Sequence, residues 1–417
     1  MDQKLFKQIK NEWRSNMWLA LELFIVSVVM WYIVDYLYVS YSLVHEPLGF
    51  DVEHCYKIDV GTLNEKSPDY IQDASSEEWE EWRHVMEDRL SRRPEIEAVG
   101  LGFCAYPYDT SNSGTTLMYD TISPTGFIIK REITPDFIKV FRYTGINGET
   151  PEQLAEMLKR GEILVSENLL DMNENIGNMK AKDLLGKEVY VNWDTTRTFK
   201  VGAVLNRVKY SDYMQGQMNR TIVLPIGTST SYANQWVVRV RENMDNDFEK
   251  NLRADIDRHF RVGNLYIANI VPFDRIRDSY VRENKLQLRN MLAGMGFLLL
   301  NIFLGLLGTF WFRTQQRTQD IAVRMVSGGT RADIFRLLIG EGLLLLTVVT
   351  PLALAVDVNL AHFEINTFYD GGFFSWGRML VSVGVTYLIM ALMIAVGIAI
   401  PAYRAMRITP ALALRNE

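Results

Sequence analysis

The sequence predicts an α-helical membrane protein with four transmembrane helices, arranged one plus three, and a large mixed α+β extracytoplasmic domain between helices 1 and 2. Three observations predict it: four long apolar runs, an uneven placement of lysine and arginine, and a change of patterning between the first and second runs. Gross composition adds nothing, because 48% hydrophobic residues in 417 suits a soluble chain equally well.

The apolar runs are WLALELFIVSVVMWYIVDYLYV (18–39), MLAGMGFLLLNIFLGLLGTFWF (291–312), LLIGEGLLLLTVVTPLALAV (337–356) and MLVSVGVTYLIMALMIAVGIAI (379–400). At about 1.5 Å per residue each crosses roughly 30 Å of hydrocarbon as a helix. The first run is too long for the apolar core of a leader and no small-residue cleavage site follows it, so it is expected to stay as an anchor. Lys4, Lys7, Lys10 and Arg14 precede it, Arg313, Arg317, Arg324, Arg331 and Arg336 fall in the loop 313–336, and Arg404, Arg407 and Arg415 follow the last run. Positive segments stay on the cytoplasmic side, which puts both termini inside. The loop 357–378 carries Asp357, Glu364 and Asp370 with Arg378 at its edge, and is expected outside. The resulting division is 1–40 for the N-terminal helix and first span, 41–285 for the outer domain, and 286–417 for the last three spans.

Between the runs, period-two stretches alternate with amphipathic ones. Strands are expected at 56–61, 127–133, 162–166, 187–193, 198–208, 220–226 and 235–241, and helices at 76–93, opened by Ser76, at 151–160 and at 245–261. Over 41–290 the net charge is −8, which gives no support to nucleic-acid binding. His45, His54, His84, His259 and His362 show no metal-ligand spacing, and no catalytic motif is present, so no catalytic, cofactor or metal site is assigned. Trp79 and Trp82, three apart, are expected to pack on the domain core. Cys55 and Cys104 lie in an outer domain where a disulfide is permitted; a bridge and two buried thiols fit the sequence about equally. The stretch 271–290 is helix-compatible without a Gly or Pro break, which predicts one helix running uninterrupted into the second span.

The loop RTQDIAVRMVSGGTRADIF (317–335) has its own code. Ile321, Val323, Met325 and Val326 beside Arg317 and Arg324 predict a short helix lying on the inner membrane surface. Ser327, Gly328 and Gly329 stop it, and Thr330 with Asp333 three residues on forms a capping box that starts the next helix. Among intramembrane acids, Glu22 and Asp35 fall near opposite ends of the first span, where water is close, and Glu341 lies inside the third, where a structural polar contact is expected.

These residues resemble the region between the second and third spans of FtsX-like (MacB-type) ABC transporter permeases, through Arg317, Asp320, Ile321, Arg324, Gly328, Gly329 and Glu341. The tail PAYRAMRITPALALRNE is similar to that family's closing segment at Pro401, Arg404, Ala405, Pro410 and Leu414, and ITPDFIKVFRYTGINGETPEQ, ILVSENLL and LLGKEVYV resemble its periplasmic core domain. The sequence departs from the family in having Val-Ser-Gly-Gly at the turn where Leu-Gly-Ala-Ser is commoner.

The resemblance implies a homodimer, or a heterodimer of related permeases, served by a separate ABC ATPase that docks on the helix 317–326. ATP and Mg2+ then belong to that partner, since this chain has no G-x-x-x-x-G-K-[ST] loop; its nearest fragment, Gly186-Lys187, is followed by Glu188 and opens a strand. The implied function is that of the permease subunit, coupling the partner's ATP hydrolysis to movement of the periplasmic domain for export or extraction of a substrate, with a periplasmic adaptor as a further partner. The alternatives are a mechanotransmitter regulating a cell-wall hydrolase, and a transmembrane receptor without transport.

Overall fold

The structure is a computed structural model of the 417-residue chain and describes residues 13–109, 111–120, 122–123, 127–171, 179–214, 219–227, 232–316, 318–363 and 375–405. The chain divides into two compact units, Leu43–Asn284 and the segments on either side of it.

Helix α1, Trp13–His45, leads into the sheet domain. There the chain forms β1 (Cys55–Thr62), α2 (Ser76–Ser91), β2 (Ile96–Phe103), β3 (Ser113–Thr115), β4 (Leu117–Met118), β5 (Ile128–Ile133), α3 (Phe137–Phe141), α4 (Pro151–Lys159), β6 (Ile163–Ser166), β7 (Glu188–Val191), β8 (Asp194–Leu205), β9 (Thr221–Pro225), β10 (Gln235–Val240), α5 (Phe248–His259), β11 (Arg261–Val262), β12 (Leu265–Pro272) and α6 (Phe273–Tyr280). The strands join one mixed sheet in the order β11-β12-β1-β10-β2-β5-β9-β6-β8-β7-β4, with β3 beside β5. Among the described strands, only β5 with β9 and β6 with β8 run parallel.

Central strand β10 shows how the sequence dictates its place. Its six residues are all buried because both faces are covered. Trp236, Val238 and Val240 pack with Met86, Leu90, Phe248 and Leu252 from α2 and α5, while Val237 turns to the opposite core, with Phe137, Phe141 and Phe273 from α3 and α6. Arg239 lies on that second side and is fully buried; its Nε donates to the Val140 carbonyl at 2.6 Å and its guanidinium pairs with Asp51 at 3.1 Å. A third cluster, from Ile163, Val165, Val189, Val201 and Ile222, holds the β6 to β9 end together.

Several expectations are corrected. The first helix of the sheet domain begins at Ser76, and the residue before it, Ser75, is its cap; Ser75 Oγ accepts from Glu78 N and the Glu78 carboxylate accepts from Ser75 N. Trp79 and Trp82 do pack on the core beneath α2, with ring centroids 5.0 Å apart.

Cys55 and Cys104 are free thiols, so no disulfide joins them. Cys55 on β1 pairs in register with Arg239, whereas Gly102, two residues before Cys104, pairs with Gln235 at the other end of β10. Two strand spacings put the cysteines roughly 10 Å apart sideways, and four residues of offset add about 13 Å along the strand. A disulfide needs Cα atoms within about 7 Å. Cys55 Sγ instead donates to the Val140 carbonyl at 3.2 Å.

The expected uninterrupted helix from 271 into the second span is broken. Residues 271–272 close β12, α6 ends at Tyr280, and Val281 N–H caps it on the Arg277 carbonyl at 2.9 Å before a new helix starts at Arg282. At the break Val281 is buried in the sheet domain's aromatic core, and its backbone, at φ −84° and ψ 0°, forms the C-cap of α6. The two connecting strands also meet: Tyr56 at the start of β1 pairs with Pro272 at the end of β12.

The helical unit adds α7 (Arg282–Gln316), α8 (Thr318–Val326), α9 (Arg331–His362) and α10 (Trp376–Ala405) to α1. Helices α1, α7, α9 and α10 are each long and apolar enough to cross a membrane. They share one core, in which Leu23 and Met30 of α1 join Ile302, Leu306 and Phe310 of α7, Leu338 and Leu345 of α9, and Ile394 and Ile398 of α10. Gly342 lets α9 and α10 approach, since a methyl group there would fall 2.4 Å from Ile398 Cδ1. Because α9 extends to His362 and α10 begins at Trp376, Asp357 and Arg378 are helical residues rather than members of an outer loop. Glu364 and Asp370 lie outside the described residues.

Candidate functional site

The elbow between α7 and α9 is built from local sequence outward. Helix α8 is amphipathic: Ile321 and Ala322 are buried, Met325 is half-buried, and Val323, Arg324 and Val326 are exposed. Its start is tied to the preceding helix by the Thr318 hydroxyl, which donates to the Gln315 carbonyl at 2.8 Å. Its end is closed by a two-bond reversal. Gly328 N–H donates to the Met325 carbonyl at 3.2 Å and Gly329 N–H to the Arg324 carbonyl at 2.9 Å, the pairing of a Schellman turn. Gly328 carries it with φ +95°, a conformation in which any side chain is strained. At Gly329 an added methyl would lie 2.8 Å from the Arg324 carbonyl oxygen, so the corner is closed to larger residues at both positions.

Thr330 then restarts the helix as expected. Its Oγ1 accepts from Asp333 N at 3.2 Å and Asp333 Oδ2 accepts from Thr330 N at 3.0 Å. Helix, fixed corner and capped restart are therefore all present. Ile321 belongs to the core with Ile334, Leu338 and Phe310, so it anchors the elbow instead of facing outward, and the outward face is Val323, Arg324 and Val326. Arg317 and the Asp320 side chain lie outside the described residues.

Of the three intramembrane acids, Asp35 is placed differently from expectation. Asp35 is not left to interfacial water: it is 2% exposed and takes a bidentate pair from Arg378, whose Nε donates to Oδ1 at 2.8 Å, while the Ser382 hydroxyl donates to Oδ1 at 3.1 Å. This pair fastens α1 to α10. Glu22 is half-buried with its carboxylate over Gly305 of α7, where an added methyl would fall 2.7 Å from Oε1. Glu341 is buried in α9. Toward the chain's end, the Arg404 guanidinium stacks 4.0 Å from the centre of the Trp311 ring, joining α10 to α7; Pro401 is buried, and Pro410 and Leu414 lie outside the described residues.

Sequence reasoning missed Arg378, Ser382 and Asp357. The available signal was spacing: Ser27, Trp31 and Asp35 recur every four residues on α1, as do Arg378, Ser382 and Thr386 on α10, which marks one polar stripe on each helix. No group of three or more His, Cys, Asp or Glu among the described residues forms a metal-binding cluster.

Residues 292–410 match the family model described as FtsX-like permease C-terminal. Among solved structures, the chain is similar to the periplasmic region of MacB from Actinobacillus actinomycetemcomitans, at 14% identity over 57% of this chain and 96% of that one, with a TM-score of 0.29. It is similar also to the extracellular domain of the noncanonic ABC-type transporter YknZ from Gram-positive bacteria, at 13% identity over 51% of this chain and 100% of that one, with a TM-score of 0.29. No curated protein matches the chain. The capped elbow and α9 fall wholly within the stretch that matches the FtsX-like permease C-terminal model, so the match covers the part of the chain where the elbow is built.

Proposed function

We propose that the chain is the membrane subunit of an ABC-type transport system, seated in a bacterial inner membrane with both termini and the elbow on the cytoplasmic side and the sheet domain outside. A separate P-loop ATPase binds ATP and Mg2+ and docks on Val323, Arg324 and Val326, and two such membrane subunits form the working dimer. The observation that carries this reading is the division of labour on α8. One face is locked into the helical core through Ile321 and Ala322 while the other presents an apolar and cationic surface, with both helix ends fixed. Force applied to that surface passes to Ile334 and Leu338 of α9, members of the same core cluster, without being absorbed by a slack loop. The work is export or extraction of a substrate handled on the outer side, driven by movement of the sheet domain.

A photo-crosslinking residue placed at Val326 tests the reading in cells. It is expected to capture a protein bearing a G-x-x-x-x-G-K-[ST] loop, and Arg324→Glu is expected to lower capture about tenfold, the effect of roughly 1.4 kcal/mol at a contact. Labelling of an Arg324→Cys variant by a membrane-impermeant reagent from outside the cell would overturn it. An inner location with no nucleotide-binding partner captured would favour the receptor reading instead.

A further inference from the structure

The helical unit has a small, partly open cavity between α1, α9 and α10, with a volume of about 20 Å³. Three of its lining residues carry a buried polar atom with no hydrogen-bond partner among the described residues: Trp31 Nε1 from α1, Asp357 Oδ1 from α9 and Thr386 Oγ1 from α10. All three side chains are at least nine-tenths buried, at 3%, 3% and 5% exposure. Three orphaned polar groups around a single void, each from a different helix, need a common partner, because an unsatisfied buried polar group costs on the order of 1–3 kcal/mol.

The chemistry of the lining selects that partner. An indole N–H only donates, so the guest has to accept a hydrogen bond. Asp357 Oδ1 accepts, so the guest also has to donate. A cation meets only the second demand and is repelled by the Trp31 N–H dipole, and beside the neutral hydroxyls of Ser27, Thr350, Thr386 and Tyr387 the lining offers the charge of one carboxylate, that of Asp357. An apolar guest satisfies none of the three atoms. The volume exceeds the 10–15 Å³ or so that one water needs, and leaves no room for a larger polar solute.

We propose that this cavity is a binding site for a single water molecule that accepts from Trp31 Nε1–H, donates to Asp357 Oδ1 and exchanges a hydrogen bond with the Thr386 hydroxyl, joining α1, α9 and α10. The site lies on the same stripes as the direct Asp35–Arg378 pair, since Trp31 precedes Asp35 by four residues and Thr386 follows Ser382 by four. The contact between α1 and α10 is thus direct at one level and water-mediated at the next. This assignment stands independently of any ATPase partner.

X-ray radiolysis of the full chain in nanodiscs tests it, because hydroxyl radicals form from seated waters and mark the side chains beside them. Trp236, 2% exposed in the apolar core of the sheet domain, is the matched reference. Trp31 is expected to be oxidised at least about tenfold faster than Trp236, the difference between a side chain with its own water and one without. In the Asp357→Leu, Thr386→Val double variant the Trp31 rate is expected to fall to that of Trp236. Equal rates at the two tryptophans in the unaltered chain would overturn the proposal whatever the variant does. A fast Trp31 rate that persists in a variant whose Trp236 rate is unchanged would overturn it too, by showing that the radicals arrive from elsewhere.

Discussion

At the residue scale, the energetics of the Asp35–Arg378 pair follow from its burial. Removing one member of a buried pair strands the other, at a cost of about 3–5 kcal/mol. Arg378→Met is therefore expected to destabilise the helical unit by that amount in thermal unfolding in detergent, and adding Asp35→Leu to recover most of the loss. An unrecovered double variant would mean that Arg378 matters through its packing alone. In the sheet domain, burial pushes the Cys55 thiol up to about 12, against which the nearby Arg239 charge is a smaller effect. Cys55 is accordingly expected to resist alkylation at pH 8 in the folded chain and to react on unfolding. Recovery of a Cys55–Cys104 cross-linked peptide would contradict the strand register. What the sequence alone could not reveal at this scale was partnership: Asp35 and Arg378 are 343 positions apart, so only the folded bundle shows that they meet.

Among elements, the legible features were those with local codes. The corner at 327–330 is readable from the sequence because Gly328, Gly329 and Thr330 act within one turn of their own backbone. Gly328→Ala is expected to cost about 1 kcal/mol, and Thr330→Ala a similar amount, both in unfolding of the helical unit. β2 escaped for the opposite reason. Gly100 and Gly102 make IEAVGLGF look like a loop, yet they are there because Phe137 of α3 lies so close that a methyl group on Gly100 would fall 2.5 Å from its Cα. β12 was hidden by running straight into the charged segment of α6. The β6 to β8 region also has a titratable tie: hydrogen bonding from Lys200 on β8, helped by Arg160, holds the Glu162 carboxyl below the ordinary carboxylate range. A depressed carboxyl contributes stability that is present above its unfolded pKa and is lost as pH falls through the folded value. The melting temperature of the sheet domain is expected to drop on acidification from about pH 5 downward, and Glu162→Gln to flatten that slope; an identical pH profile in the variant would remove Glu162 from the account.

For the molecule as a whole, the layout of one span, a folded domain and three spans was legible because it rests on run length and charge placement, which need no tertiary information. The domain's sheet order was not, since β1 pairs with β10 and β12 from the far end of the domain. A segment that closes on itself in this way is expected to fold alone. Expressed as Leu43–Asn284, it should be soluble and monomeric, with the same Trp79 and Trp82 environment by fluorescence as in the full chain; aggregation would show that it depends on the helical unit. The rung Tyr56–Pro272 has a mechanical consequence. The polypeptide enters and leaves this domain on neighbouring, oppositely directed strands, so drawing the two leads apart opens the seam one hydrogen-bonded step at a time, whereas drawing them in the same direction carries the sheet as a single body. Tension shared equally by both leads is thus transmitted intact, and unequal tension reaches the seam at Tyr56 only after Val52 on the entering lead or Phe273 and Val281 on the leaving one have been drawn out of the core.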